Sequence, residues 1–248
     1  MSRQLTPYEK NFLTRHNFDF SNTSIPTDIP IEYLVNVAEF RGLNFYIDQN
    51  TLIPRIETEQ LVDLALENIL TNFKNKEKIV IADLCTGSGS IGISLALELA
   101  KRNIDFHIYF SDISKDALDI AKKNYYNFLP KKIANANFIH SDLFNNFPKD
   151  LNFDLIISNP PYVPNERIAS LQNSVKNYEP ILALDGGKDG TEIINKIILQ
   201  LPKFQKKINC LIEIDDSHNL DKIKSEGLNP SLIKDQFGVN RFLSLFLL

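Results

Sequence analysis

Beyond about residue 55 the chain alternates between short runs of β-branched and aromatic residues and longer stretches whose apolar positions recur at helical spacing. Residues 78–84, 106–110, 136–140, 153–158 and 208–214 predict strands, and 232–234 with 241–248, flanking Phe237-Gly238, predict two more at the end. Between them, residues 91–100 are apolar nearly all round, as a helix packed against a sheet would be. Ser114 can cap a helix running to about Asn127, and residues 191–201 predict another. Thr58 is the expected N-cap of a helix carrying Leu61, Leu64, Ala65 and Ile69 on one stripe. Strand and helix in alternation predict an α/β fold, a mostly parallel sheet with helices on both faces. Such sheets bind ligands outside the carboxyl ends of their strands, where the strand order reverses.

The first part of the chain reads differently. Residues 1–30 are polar and carry Pro7, Pro26 and Pro30; one short helix is expected near residues 7–15, with too little apolar content for a core. In residues 31–54, Leu43, Phe45 and Ile47 alternate with polar positions, and Asp48-Gln49-Asn50 looks like a wide turn before Thr51-Leu52-Ile53, which predicts a β-hairpin.

Composition narrows the functional classes. With 248 residues, 43% hydrophobic and 23% charged, the chain can bury a substantial core without disulfides. Its two cysteines, Cys85 and Cys210, lack metal-site spacing, so no metal is expected. A net charge of −4 and a pI near 5.6 count against stable binding of nucleic acid, and Lys131-Lys132 and Lys206-Lys207 read as solvated clusters. Neither a cleavable leader nor a membrane-spanning apolar run is evident, which predicts a cytoplasmic protein with no membrane partner.

Candidate chemistry gathers at the predicted strand ends. Asp83-Leu84-Cys85-Thr86-Gly87-Ser88-Gly89 follows the first strand of the alternating region, where glycines let the backbone approach a cofactor and the next helix offers unpaired N–H groups. Gly87, Gly89 and Gly92 also satisfy the dinucleotide pattern, so a nicotinamide cofactor stays open on these residues alone. Asp83 favours a cationic amino acid end over a pyrophosphate. Asp112 lies about twenty positions beyond Gly89, at the end of the second strand, where a carboxylate can accept both ribose hydroxyls. Asp142 ends the third and can accept from an adenine amino group while Leu143 covers the ring.

The strand at 153–158 ends in Asn159-Pro160-Pro161-Tyr162. A planar amide or amine nitrogen is a poor nucleophile because its lone pair is delocalised. The Asn159 side-chain carbonyl and the Pro160 backbone carbonyl can each accept one of its N–H groups and aim the lone pair at a sulfonium methyl. The prolines fix the backbone and Tyr162 can stack on the substrate plane. Catalysis of this kind works by positioning and electrostatics, without a strong base. The set suits a glutamine amide, the N6 of adenine or the N2 of guanine equally.

These residues resemble the HemK/PrmC-type release factor glutamine methyltransferases. The likeness runs through Glu39-Phe40-Arg41-Gly42-Leu43, Ile53-Pro54-Arg55-Ile56-Glu57-Thr58-Glu59, residues 83–89, Asp112-Ile113-Ser114, Asp142-Leu143-Phe144 and residues 158–162. It continues in Tyr178-Glu179-Pro180, in Leu184-Asp185-Gly186-Gly187-Lys188-Asp189-Gly190 and in Phe237-Gly238-Val239-Asn240-Arg241, covering roughly residues 30–248. It implies a seven-stranded, Rossmann-like class I methyltransferase sheet with an antiparallel last strand, preceded by the hairpin. It implies S-adenosylmethionine as cofactor, bound by Asp83, Cys85, Thr86, Gly87, Ser88, Gly89, Asp112, Asp142, Leu143 and Asn159. It implies methyl transfer to the side-chain N5 of the glutamine in the Gly-Gly-Gln motif of peptide chain release factors during translation termination. Asn159, Pro160 and Tyr162 would be catalytic, with Pro161, Glu57 and Glu179 also meeting the substrate. Three departures stand out: Cys85 replaces the family's first loop glycine, Ile56 replaces its second proline, and only about 30 residues of unlike sequence occupy the place of its N-terminal helical domain. The expected organisation is a reduced substrate-binding segment at 1–30, a hairpin linker at 31–54 and a methyltransferase domain at 55–248, acting as a monomer. The alternatives are a methyltransferase for adenine or guanine in RNA or DNA, and a cofactor-binding module without catalysis.

Overall fold

The computed structural model describes residues 4–21, 23–129, 135–201, 208–224 and 227–247. Both lysine pairs singled out above, Lys131-Lys132 and Lys206-Lys207, lie outside the described residues.

Helix α1 (Pro7–Arg15) begins at a reciprocal cap, in which Glu9 N donates to Thr6 Oγ1 and Thr6 N donates to Glu9 Oε2. Contrary to the expectation of no core here, Phe12, Leu13, Ile25 and Ile31 form a small buried cluster with Phe18, Phe20 and Ile29 against it. These residues are scattered over turns and lack a period, so pattern alone does not reveal them. Helix α2 (Ile31–Val35) leads into the antiparallel pair β1 (Val37–Phe40) and β2 (Leu43–Tyr46). The hairpin falls earlier and turns more tightly than predicted: Arg41 and Gly42 both take positive φ (51° and 71°), the two-residue turn that suits strand twist. An arginine seldom supplies that conformation, which hid the turn. Thr51-Leu52-Ile53 is not a strand; Asp48 closes its own turn there by accepting from Asn50 N and Thr51 N.

The remainder follows the predicted alternation closely. In order come α3 (Glu59–Asn72), β3 (Ile79–Leu84), α4 (Ser90–Lys101), β4 (Phe106–Asp112), α5 (Lys115–Phe128), β5 (Ala136–His140) and β6 (Leu155–Ser158). After the short helices α6 (Asn165–Ile168) and α7 (Asn173–Lys176) come α8 (Glu192–Gln200), β7 (Ile208–Glu213), β8 (Asn229–Lys234) and β9 (Asn240–Leu247). Seven strands form one sheet in the order β5-β4-β3-β6-β7-β9-β8. The pairs from β5 to β7 are parallel, and the last strand, β9, is antiparallel to both neighbours. One face buries Ile81, Leu95, Phe110 and Tyr125 among α3, α4 and α5; the other buries Leu84, Phe153 and Ile156 in a cluster with Ile194 and Ile197 of α8. Each such side chain contributes ~1.5–3 kcal/mol on removal from water.

The consequence for function lies in the strand order. Helical connections leave β3 toward β4 and β5 on one side, while β6 and β7 lie on the other, so a crevice opens at the carboxyl ends of β3 and β6. The register sets Leu84 beside Ser158, and Ser158 Oγ donates to Leu84 O at 2.8 Å. That bond ties together the bases of the two loops with the richest chemistry.

Candidate active site

The cleft at this reversal is bordered from one side by Cys85, Thr86, Gly87, Ser88, Ser90 and Ile91, with Asp112, Ile113, Ser114 and Ala117. From the other it is closed by Asn159 and Pro161, by Asn50, Thr51, Leu52, Pro54 and Thr58 from the segment after the hairpin, and by Pro180, Leu182 and Ala183. The structure thus gathers seven of the fifteen predicted positions, Cys85, Thr86, Gly87, Ser88, Asp112, Asn159 and Pro161, although they are distant in sequence.

Asp83 is wholly buried beneath the first loop. Its Oδ2 accepts from Thr86 Oγ1 at 2.7 Å and from Gly92 N at 3.0 Å, while Oδ1 has no partner among the described residues. A Cβ on Gly92 would stand 2.6 Å from Asp83 Oδ2 and 2.5 Å from the Phe110 ring, so only glycine lets α4 approach this closely. Burial pushes the Asp83 carboxyl up to about 7, against the two donors that favour its charge. Cys85 holds φ +55°, a left-handed backbone that glycine adopts without strain, and burial raises its thiol well above the ordinary range. It is a packing residue and not a thiolate nucleophile. Asp112 organises the rim: Oδ2 accepts from Gly87 N and Oδ1 from Ser114 N, both at 2.9 Å. Burial raises its pKa, against these amides.

Several sequence-singled residues stand outside the cleft wall. Gly89, Asp142, Leu143, Pro160, Tyr162, Glu57 and Glu179 do not border it. Asp142 is exposed, and Leu143 is turned into the core beneath Phe144 and Phe153, its carbonyl accepting from Ser111 Oγ. The exposed apolar residue at that end of the cleft is Ile113, which sequence reasoning missed although it adjoins Asp112. Tyr162 is directed inward, its hydroxyl donating to Glu213 Oε1 at 3.1 Å. Burial, reinforced by the neighbouring carboxylate, raises its pKa and keeps the hydroxyl a donor. The following loop supports it: Gly186 N donates to Val163 O, and a Cβ on Gly186 would meet the Tyr162 backbone at 2.7 Å.

Glu179 is buried and bound through both oxygens to Arg55, at 2.7 and 2.8 Å. Burial opposes the Arg55 charge and Glu179 outweighs it, so the guanidinium stays ionised. This pair clamps the segment ending in Pro54 onto the segment beginning at Pro180, both of which wall the cleft. Thr58 departs from its predicted task. It occupies the cap position of α3 but makes no side-chain cap bond; its Oγ1 instead accepts from Asn159 Nδ2 at 3.2 Å. The Asn159 nitrogen is therefore committed to the wall, which leaves the carbonyl end of the amide for the cleft. Neither Thr58 nor Glu213 carried a site signal of its own in the sequence, because their partners lie far along the chain.

Comparison with known proteins agrees with this geometry. Residues 56–186 match the family model described as methyltransferase small domain. A curated release factor glutamine methyltransferase from Bacillus cereus is 40% identical over 189 residues, 75% of this chain and 63% of that protein. One from Leptospira interrogans is 38% identical over 221 residues, covering 87% of this chain and 74% of its own length. The chain thus spans somewhat less than two thirds of the Bacillus cereus relative. Among solved structures, the hMettl16 catalytic domain in complex with MAT2A 3'UTR hairpin 6 superposes with a TM-score of 0.63 at 16% identity, covering 98% of this chain and 92% of that one. A methyltransferase from Pyrococcus furiosus gives 0.52 at 16% identity, over 83% of this chain and 89% of that one. At such identities the likeness is one of fold.

Proposed function

This chain belongs to the release factor glutamine methyltransferase family, and from that premise we propose that it transfers a methyl group from S-adenosylmethionine to the side-chain N5 of the glutamine in the Gly-Gly-Gln motif of peptide chain release factors. The observation that carries this reading is the committed amide of Asn159, whose nitrogen bonds Thr58 and whose carbonyl is left for the cleft.

The residues fit the cofactor. Asp112 offers acceptors for ribose hydroxyls, the Gly87 region brings backbone close to the ligand, and Ile113 is placed to cover an apolar ring. Asp83, with a buried and unpartnered oxygen, suits a cation nearby. When bound, S-adenosylmethionine supplies an electrophilic sulfonium methyl. Asn159 Oδ1 accepts one of the two N–H groups of the substrate amide and holds its nitrogen toward that methyl, while Pro160, expected to accept the other, does not border the cleft. One of these protons leaves to solvent as the N–CH3 bond forms, and the other stays on the product. No residue need act as a strong base, so rate comes from alignment and from acceptors fixed before the reaction begins.

The rim supports a protein substrate over nucleic acid. Ile113 and Leu182 border the cleft and are exposed, and Ile56 and Ile181, close in sequence to other cleft residues, are exposed as well, apolar surface suited to a peptide loop and not to phosphates. Residues 55–248 are read as the methyltransferase domain, residues 31–54 as its hairpin linker and residues 1–30 as a reduced substrate-contacting segment. Among the described residues no helix is long and apolar enough to cross a membrane, and the reading places the protein in the cytoplasm. The test is incubation with purified release factor and methyl-labelled cofactor, followed by peptide mass spectrometry. Label on the Gly-Gly-Gln glutamine is expected; an unlabelled peptide, or label on RNA offered in parallel, overturns the assignment.

A further inference from the structure

The cofactor loop presents backbone to the cleft, and a side chain of α5 holds that backbone from behind. Asn124 is buried and does not border the cleft. Its amide bonds only to main chain. Nδ2 donates to Ser88 O at 2.8 Å and to Tyr46 O at 2.9 Å, and Oδ1 accepts from Tyr46 N at 2.9 Å.

The Ser88 carbonyl needs this donor. Helix geometry would bring Gly92 N to it, but that N–H donates to Asp83 Oδ2 instead. On the other side of the same peptide, Gly89 N donates to Thr86 O at 2.8 Å. A trans peptide sets its C=O and N–H on opposite sides, so the two bonds pin its plane. The pinning matters because Gly89, at φ +82°, has no side chain to resist rotation of that plane. Helix α5 also presses on the loop at Ala121, whose Cβ lies 3.2 Å from where a Cβ on Gly89 would stand. The Tyr46 end of the joint belongs to the hairpin. Val37 of β1 pairs with Tyr46 on one side, and Asn124 takes the edge left open on the other. A few residues later the chain reaches Asn50, Thr51 and Leu52, which wall the same cleft as Ser88.

We propose that Asn124 is a positioning residue for cofactor binding, which locks the Ser88–Gly89 peptide and sets the spacing between the cofactor loop and the wall at residues 50–52. The task calls for an amide. An ionised carboxylate only accepts and would face two carbonyl oxygens, and an aliphatic side chain would leave Ser88 O and both Tyr46 groups unpaired. Asn124 acts through Ser88 and Tyr46, not on the ligand itself. The joint also has an apolar part that does not depend on it. Phe45 of β2 packs on Phe128 of α5 with ring centroids 4.9 Å apart, and Phe40 and Phe45 lie in the main core.

This role rests on S-adenosylmethionine as the ligand of the cleft, and the experiment separates the two. Asn124→Asp is expected to weaken binding of S-adenosylmethionine, measured by calorimetry, by roughly tenfold, the scale of one lost hydrogen bond. KM for the cofactor should rise in step while kcat changes little. Asn124→Ala, which introduces no charge, should weaken it in the same direction. Phe128→Leu loosens the same joint but keeps the three bonds, so its urea midpoint should fall while its affinity stays at the parent's. Unchanged affinity in both Asn124 variants, or an equal loss in Phe128→Leu, overturns the positioning role. A second readout needs no ligand. Amide hydrogen exchange at Thr86 and Gly89, whose N–H groups donate to Ser111 O and Thr86 O, should quicken in the Asn124 variants and not in Phe128→Leu. Exchange as slow as the parent's overturns the role as well. A parent protein that binds no S-adenosylmethionine overturns the cofactor reading instead, and exchange in the loop still decides what Asn124 does.

Discussion

The two ends of the cleft are built on opposite plans. The end assigned to the cofactor is local: Thr86 and Gly92 both donate to Asp83 within ten residues, and Asp112 reaches back to Gly87 and forward to Ser114. Much of its polar surface is backbone, held by side chains beneath it. The end assigned to the substrate is assembled by side chains from remote segments. Asn159 and Thr58 are 101 residues apart, Tyr162 and Glu213 are 51 apart, and Arg55 and Glu179 are 124 apart. A backbone cradle depends less on its side chains, and Cys85 holds a left-handed backbone there, whereas a side-chain assembly depends on each member. Substitutions at the two ends should therefore fail in different ways.

The sharpest contrast comes from Asn159→Ala. Removing the amide acceptor should cost roughly 10²–10³-fold in kcat, the scale of one lost preorganised contact in a transition state. Cofactor affinity, measured by calorimetry, should change little because the local end is untouched. A variant that no longer binds cofactor would show that the two ends are not separable.

Arg55→Ala probes the remote assembly through stability. It leaves Glu179 buried without its partner, and breaking a buried pair from one side costs about 3 kcal/mol. Urea unfolding should show a lower midpoint with an unchanged slope. Both bonds come from one nitrogen, Nη2, so Arg55→Lys, which keeps a charged donor on a flexible stem, should recover part of the loss. A midpoint equal to the parent's would mean that the clamp adds nothing.

The same contrast explains what could be read from the sequence. The alternation of strands and helices, the reversal crevice, the 83–89 loop and Asp112 are local patterns, and the structure has them where periodicity and turn chemistry indicated. The tetrapeptide after β6 was legible as a set of acceptors. Its supports were not. Thr58 reads as an ordinary helix cap and turns instead to Asn159; Glu213 reads as the polar end of a strand and is buried. The Glu179 motif pointed to the substrate, whereas the geometry shows its carboxylate held by Arg55. Nothing local marks a residue whose partner arrives from a hundred positions away. The hairpin turn failed for a different reason, since Arg41 takes a conformation usually given to asparagine or glycine.

At the local end, Asp112→Ala should weaken cofactor binding by ~1–3 kcal/mol, the value of a hydrogen bond to a charged acceptor. At saturating cofactor, kcat should stay near the parent's, the reverse of Asn159→Ala. Unchanged affinity would remove Asp112 from the binding set. A proportionate fall in kcat would show that it also aligns the methyl group.

The smallest effect expected is a pH dependence belonging to the local end alone. Burial raises the Asp83 carboxyl from 3.8 to about 7. The folded chain therefore holds this proton more tightly than the unfolded chain, and stability from this source is lost as pH climbs from about 4 toward 7. A cationic ligand beside the loop reverses the preference, because it favours the ionised carboxylate. Cofactor affinity should accordingly rise between pH 6 and pH 8, by about tenfold for each unit by which the bound cation lowers the Asp83 pKa. Asp83→Asn keeps an acceptor for Thr86 and Gly92 but cannot ionise, so its affinity should be flat across this range. An affinity that still climbed with pH in Asp83→Asn would show that another group carries the dependence.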